Sequence, residues 1–287
     1  MKITDVEAMV LDTGKDYSDP TEAAEAHGVR FVSLIKISTD EGLCGWSDIE
    51  TQPHVGRAVV EAPSGGAIGF ESIRTALIGE NPLERERLWQ KMYRYLAYYG
   101  RQGVGMQMIS GADIALWDLC GRALGQPVWA LLGGKYRDRV KAYASTWPNM
   151  GKPEDYARHA VEMQKLGYKA YKVHAYIYFN PHTWEPGPQL PGYPEADVEV
   201  CQAVREAVGP DMVLMLDPFG VYTLEQSIWV GRELEKLDFY WLEHPMIETR
   251  VEAYRRVCRE LDIAVCSPEH APGGIFSRAE WVLQGAS

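Results

Sequence analysis

The strongest constraint on this chain is a regular alternation in its second half, where short apolar runs are separated by helical stretches. Residues 140–145, 170–174, 212–216, 239–242 and 263–266 read as strands. Between them, Pro153 opens a helical stretch with Glu154 and Asp155 in its first turn, and Gly167 closes it. Val198, Cys201, Val204 and Val208 mark a second apolar helix face, and Thr223 with Gln226 is a capping-box pattern heading a third. Val251, Tyr254, Val257 and Leu261 line a fourth, and residues 276–284 begin another. Such repeats dictate an α/β fold with a parallel sheet, either doubly wound or closed into a (β/α)8 barrel of the TIM type. The nearly all-apolar run 212–216 suits a strand covered on both faces.

The polar residues favour the barrel. A barrel places its chemistry at the C-terminal ends of its strands. Reading those ends gives Lys172 and His174, then Asp217, Glu243 and Glu269, with the three acids spaced 26 residues apart twice over. One acid per strand–helix unit puts three carboxylates around one mouth. Carboxylates so placed repel one another unless they share a cation, and an all-oxygen set favours a hard ion, Mg²⁺ before Mn²⁺. Lys172 and His174 are two apart on a strand and so face the same way, toward the acids. Neither the second nor the third strand is followed by a phosphate-cradling glycine loop, which disfavours a nucleotide fold.

Composition narrows the partners. Lys plus Arg number 29 against 40 Asp plus Glu, a net charge of −11, which repels phosphate backbones and anionic lipid. Nucleic acid and membrane are therefore not expected as partners, and a small molecule is. No stretch approaches about twenty consecutive apolar residues, and residues 1–5 lack the pattern of a secretory signal. The cysteines Cys44, Cys120, Cys201, Cys258 and Cys266 are scattered and never form a C-x-x-C pair, which points to reduced thiols and a cytoplasmic location.

The first half, residues 1–137, reads differently. Runs 3–11, 29–38 and 43–49 are strands, and Asp40-Glu41-Gly42 turns the last two into a hairpin. The polar stretch 13–28 is a loop. Leu88, Met92, Tyr95 and Leu96 mark a helix after Asn81-Pro82, and residues 111–124 form a second that Gly125-Gln126-Pro127 ends. Asp113 and Asp118 lie on that second helix, and pairing with nearby backbone or arginine is the favoured reading for both. Strands followed by helices make this an α+β domain, with residues 138–287 as the partial barrel.

At this point the sequence resembles the enolase superfamily, mandelate racemase/muconate lactonizing enzyme subgroup. The resemblance rests on Ala115-Leu116-Trp117-Asp118-Leu119-Cys120-Gly121, Gly125-Gln126-Pro127 and Leu131-Leu132-Gly133-Gly134. It also rests on Leu216-Asp217-Pro218, on Trp241-Leu242-Glu243-His244-Pro245, and on Glu269 after Ile263-Ala264-Val265. It implies an α+β capping domain, an essential Mg²⁺ held by Asp217, Glu243 and Glu269, and abstraction of a proton α to a carboxylate. Dehydration of a sugar acid, an aldonate or aldarate, to a 2-keto-3-deoxy acid is the expected outcome, with racemisation of a 2-hydroxy acid through the same enediolate as the alternative. A homo-oligomer is expected.

Two departures stand out. The position where subgroup members commonly carry a second lysine is His174 here. A lysine must lose roughly three pKa units to act as a base near neutrality, whereas free histidine titrates near 6.5. His174 is therefore the expected base or acid, with Lys172 contacting the substrate carboxylate. Phe219 stands where the subgroup often has Asn. The stretch after His174 carries Tyr176, Tyr178, Phe179, His182, Trp184 and Tyr193 among five prolines, and either restricts the pocket or packs on a neighbouring subunit. Trp184, His182, Phe219 and His270 are the expected substrate contacts.

The barrel is incomplete. From 138 to 287 there are 150 residues, whereas a full barrel takes about 250. Only five strands are counted, so the chain reads as a C-terminally truncated piece. The reading from another class is an inactive remnant, or a structural protein that merely binds metal.

Overall fold

The computed structural model describes residues 1–14, 30–146, 150–174, 193–271 and 273–287. These fall into two compact units whose main break lies between Arg139 and Val140.

In the first unit, β1 (Ile3–Asp12), β2 (Phe31–Thr39) and β3 (Cys44–Ile49) form an antiparallel sheet in sequence order. Gly42, at φ 79°, takes the left-handed position that the β2–β3 turn requires. Five helices follow: α1 (Pro53–Glu61), α2 (Ile73–Leu77), α3 (Arg85–Tyr95), α4 (Gly103–Leu124) and α5 (Val128–Leu131). Ile35 and Ile37 of β2 are fully buried against α4 residues such as Ala112 and Leu116.

α4 starts at Gly103, well before the expected residue 111. Gly105, Gly111 and Gly121 within it are points of close approach, not breaks. A β-carbon on Gly111 would stand 2.8 Å from Ile35 Cδ1, and the Ser47 hydroxyl donates to the Gly111 carbonyl at 2.7 Å. On the facing strand, a β-carbon at Gly45 would lie 2.1 Å from the Ala115 carbonyl oxygen. Asp118 accepts from the Trp46 amide at 2.9 Å and from Arg122 at 2.9 Å, a structural role.

In the second unit, five parallel strands hydrogen-bond in sequential order: β4 (Ala144–Ser145), β5 (Ala170–His174), β6 (Val213–Asp217), β7 (Phe239–Glu243) and β8 (Ala264–Cys266). A doubly wound sheet reverses its strand order partway, and this one never does; it is an arc of a barrel. The connecting helices are α6 (Pro153–Lys165), α7 (Tyr193–Val208), α8 (Leu224–Lys236) and α9 (Val251–Glu260), and α10 (Ile275–Leu283) follows β8. Tyr171, Leu214, Leu216 and Leu242 of the strands are buried against Tyr156, Val204, Val230 and Tyr254 of the helices. Each such side chain contributes about 1.5–3 kcal/mol by leaving water.

The first strand is shorter than residues 140–145. Val140 is 81% exposed, and pairing begins only where Ala144 meets Tyr171. Strand propensity at Val140 and Tyr143 is real, but a strand also needs a ladder partner.

The lower edge of this sheet is stitched by one side chain. Arg205 of α7 donates to the carbonyls of Leu237 (2.8 Å), Gly209 (2.7 Å), Met212 (2.8 Å) and Asp238 (2.8 Å), at the starts of β6 and β7. Above, the Tyr254 hydroxyl of α9 donates to the Met246 carbonyl and accepts from its amide at 3.2 Å, which pins the loop leaving β7.

The close approach of β3 to α4 generates a prediction. Gly45→Ala drives a methyl group into helix backbone and should cost about 1–3 kcal/mol of stability, read as a lower denaturation midpoint. Gly42→Ala meets no neighbouring atom, so its loss should come from backbone strain alone.

Candidate active site

All five strands run the same way, so the residues closing them stand along one edge. His174, Asp217 and Glu243 are the last residues of β5, β6 and β7, and His174 pairs in register with Asp217. Glu269 follows shortly after β8. One oxygen from each of Asp217, Glu243 and Glu269 lies within 4.8 Å of the others.

Three negative charges at that spacing repel by roughly 3–4 kcal/mol per pair at an effective dielectric near 20. Lys172 offsets part of this. Its Nζ lies 3.1 Å from Asp217 Oδ2 and 3.0 Å from Glu243 Oε2. Burial works against the ammonium, but the fields of Asp217 and Glu243 outweigh it and hold Lys172 above the ordinary lysine value. Burial likewise opposes the Asp217 carboxylate. The hydrogen bond from His174, the charges of His174 and Lys172 and the Phe219 amide (3.1 Å) reverse that and keep it below the usual carboxylate range.

His174 is fixed from the neighbouring strand. Its backbone amide donates to Thr146 Oγ1 at 2.8 Å, and its ring Nδ1 meets the Thr146 carbonyl. A carbonyl only accepts, so Nδ1 carries a proton, and Nε2 is the nitrogen turned toward the acids. Nε2 lies 3.3 Å from Asp217 Oδ2. Phe219 stacks on the ring, with centroids 4.7 Å apart and planes 26° from parallel. Its φ of 59° turns it there directly after β6.

On the other side, Glu269 lies 3.2 Å from Nδ1 of buried His244 and 3.1 Å from Nε2 of exposed His270. Burial would lower the His244 pKa, but Glu269 and Glu248 prevail and hold it above its ordinary value. The neighbouring His244 ring in turn holds Glu269 below the usual range. His244, Glu269 and His270 are a second set able to hold a metal, and it shares one carboxylate with the first. Two imidazoles suit a borderline transition metal, whereas the three carboxylates suit a hard ion. With Lys172 matching one of their charges, a divalent cation balances the other two, so the trio fits Mg²⁺.

Of the residues singled out in the sequence, Lys172, His174, Asp217, Glu243, Glu269 and Phe219 come together at this edge. His270 flanks it, while Trp184 and His182 lie outside the described residues. Three participants were not singled out: Thr146, His244 and Glu248. Thr146 follows directly on the first strand, near the strand-end positions that carry functional groups on the later strands. Glu248 is a second acid in the same loop as Glu243.

Known proteins resemble this chain in both halves. Residues 6–133 match the Mandelate racemase / muconate lactonizing enzyme N-terminal domain, and residues 155–287 match the Enolase C-terminal domain-like family. The chain is 33% identical over 273 residues to a D-galactarolactone cycloisomerase of Agrobacterium fabrum, covering 94% of this chain and 65% of that protein. It is 31% identical to a D-galactonate dehydratase of Klebsiella pneumoniae, over 86% of this chain and 59% of the relative. Among solved structures, a D-glucarate dehydratase from Agrobacterium tumefaciens complexed with magnesium superposes with a TM-score of 0.78 at 35% identity, covering 100% of this chain and 72% of that one. The chain thus spans about two-thirds or less of these curated relatives. With both domains matched in order and the acids at the strand ends, the chain belongs to the mandelate racemase/muconate lactonizing enzyme family of the enolase superfamily.

Proposed function

We propose that this chain carries the metal-binding part of a Mg²⁺-dependent hydro-lyase. In this reading the enzyme removes the proton α to the carboxylate of an aldonate or aldarate, and the β-hydroxyl leaves as water to give a 2-keto-3-deoxy acid. The observation that carries it is the convergence of Asp217, Glu243 and Glu269 with Lys172 and His174 at one edge of a parallel sheet. The sugar-acid names of the relatives support the substrate class.

Asp217, Glu243 and Glu269 hold the cation. When bound, it supplies Lewis-acid stabilisation of the charge that grows on the substrate carboxylate as the α-proton leaves. The chain's own residues divide the remaining work. Lys172 is held charged by its two acidic neighbours, so it serves as a fixed positive charge for the substrate carboxylate and not as the base. His174 is the base. Its Nδ1 is committed to the Thr146 carbonyl, so Nε2 is the nitrogen that would exchange the substrate proton. Phe219 covers one face of the ring and keeps water from it.

The decisive experiment incubates a library of sugar acids with the protein and Mg²⁺ in deuterated water and follows products by mass spectrometry. Loss of one water from an aldonate or aldarate is expected, and His174→Asn should slow it by about 10²–10⁴-fold. Deuterium gained without loss of water would replace the dehydratase with a racemase. No exchange on any acid by a folded protein would reduce the reading to metal binding.

A second prediction concerns Lys172 without its substrate. Lys172→Met leaves Asp217 and Glu243 facing each other without their shared ammonium, and breaking such a buried pair costs about 3–5 kcal/mol. The metal-free variant should melt well below the unaltered protein. Saturating Mg²⁺ should raise its midpoint by more than it raises that of the unaltered protein, as thermal melts with and without the ion will read.

A further inference from the structure

We infer that Glu248 is a positioning residue of the metal site: it holds the backbone of Glu269, and so sets where the third ligand oxygen stands. The inference rests on the metal-binding reading above.

The need for it comes from the sheet. Asp217 and Glu243 are the last residues of their strands, so strand pairing fixes their backbone. Glu269 has no such support, because β8 ends at Cys266. Glu248 takes the place of the missing ladder. One of its carboxylate oxygens accepts from the Glu269 amide at 2.6 Å, and the other accepts from the His270 amide. The opposite side of the same segment is held by Arg278, which donates to the carbonyls of Glu269 (2.6 Å) and Ala271 (3.0 Å).

Glu248 is itself firmly placed. It leaves a loop anchored by Tyr254 at Met246, by the Val221–Met246 bridge, and by the Thr249 amide on the Ile247 carbonyl at 2.9 Å. The residue is only 6% exposed. A buried carboxylate is costly unless its oxygens receive hydrogen bonds, and these are spent on two successive peptide groups at a metal ligand. Glu248 belongs to neither set of groups able to hold a metal. Its chemistry is also specific. Two adjacent N–H donors need two acceptor oxygens, so a glutamine would turn its own NH₂ toward one of them, and an aspartate is a methylene short of reaching both.

The test measures Mn²⁺ affinity of the 287-residue chain by water-proton relaxation, alongside thermal melts of the metal-free protein. Glu248→Gln should raise the Mn²⁺ Kd by about 10–100-fold, the usual effect of removing a partner that orients a ligand. Tyr171→Phe loses a buried hydroxyl contact to His159 (2.8 Å) elsewhere in the same unit. It should lower the melting midpoint while leaving the Kd unchanged, which separates positioning from general destabilisation. A Kd for Glu248→Gln within about twofold of the unaltered chain would overturn the inference. If that variant does not melt cooperatively, Glu248→Asp is read by the same criterion. An unaltered chain that binds no Mn²⁺ would instead remove the metal-site reading, and this inference with it.

Discussion

Like charges gathered at one edge of a sheet govern the second unit. Asp217, Glu243 and Glu269 approach to within 4.8 Å of one another, and nothing in a hydrophobic core would bring three acids there. The fold tolerates the arrangement because the charges are compensated one by one. Lys172 reaches two of the acids, the His174 ring reaches Asp217, and the rings of His244 and His270 reach Glu269. Each compensation is incomplete, and that incompleteness makes the place receptive to a divalent ion. Acids that were fully neutralised would have no reason to bind one.

The sheet separates stability from chemistry along its own length. At the strand starts, Arg205 ties four carbonyls together, and the core of Tyr, Val and Leu side chains fills the space beneath the helices. At the strand ends the backbone is held by groups specific to each loop, Tyr254 for the one after β7 and Glu248 with Arg278 for the one after β8. A rigid floor lets the upper loops carry polar residues without loosening the unit, the general pattern of parallel barrels.

How much of this was legible in the sequence follows from what each residue does. The acids were legible because one recurs in each strand–helix unit, and the unit length is set by geometry that any such repeat shares. Lys172 and His174 were legible because residues two apart on a strand face one way. The limits of α4 were not, since Gly105 and Gly111 look like breaks until the Gly100 backbone against one and the sheet against the other are known. The strand expected at 140–145 is shorter for the opposite reason, since residues 140–143 have propensity without a ladder partner. Thr146 and Glu248 escaped because their work is done through backbone groups of distant residues, and a sequence gives no sign of which carbonyl or amide a side chain will meet.

The contact between the Thr146 carbonyl and the His174 ring has a stereochemical consequence. The atom that meets the ring belongs to the main chain, while the Thr146 hydroxyl holds the His174 amide beside it. In its proposed role as base, a ring that always points one way would reach a tetrahedral carbon from one side only. The handedness this protein demands of a substrate would then be set by the path of the backbone between two strands.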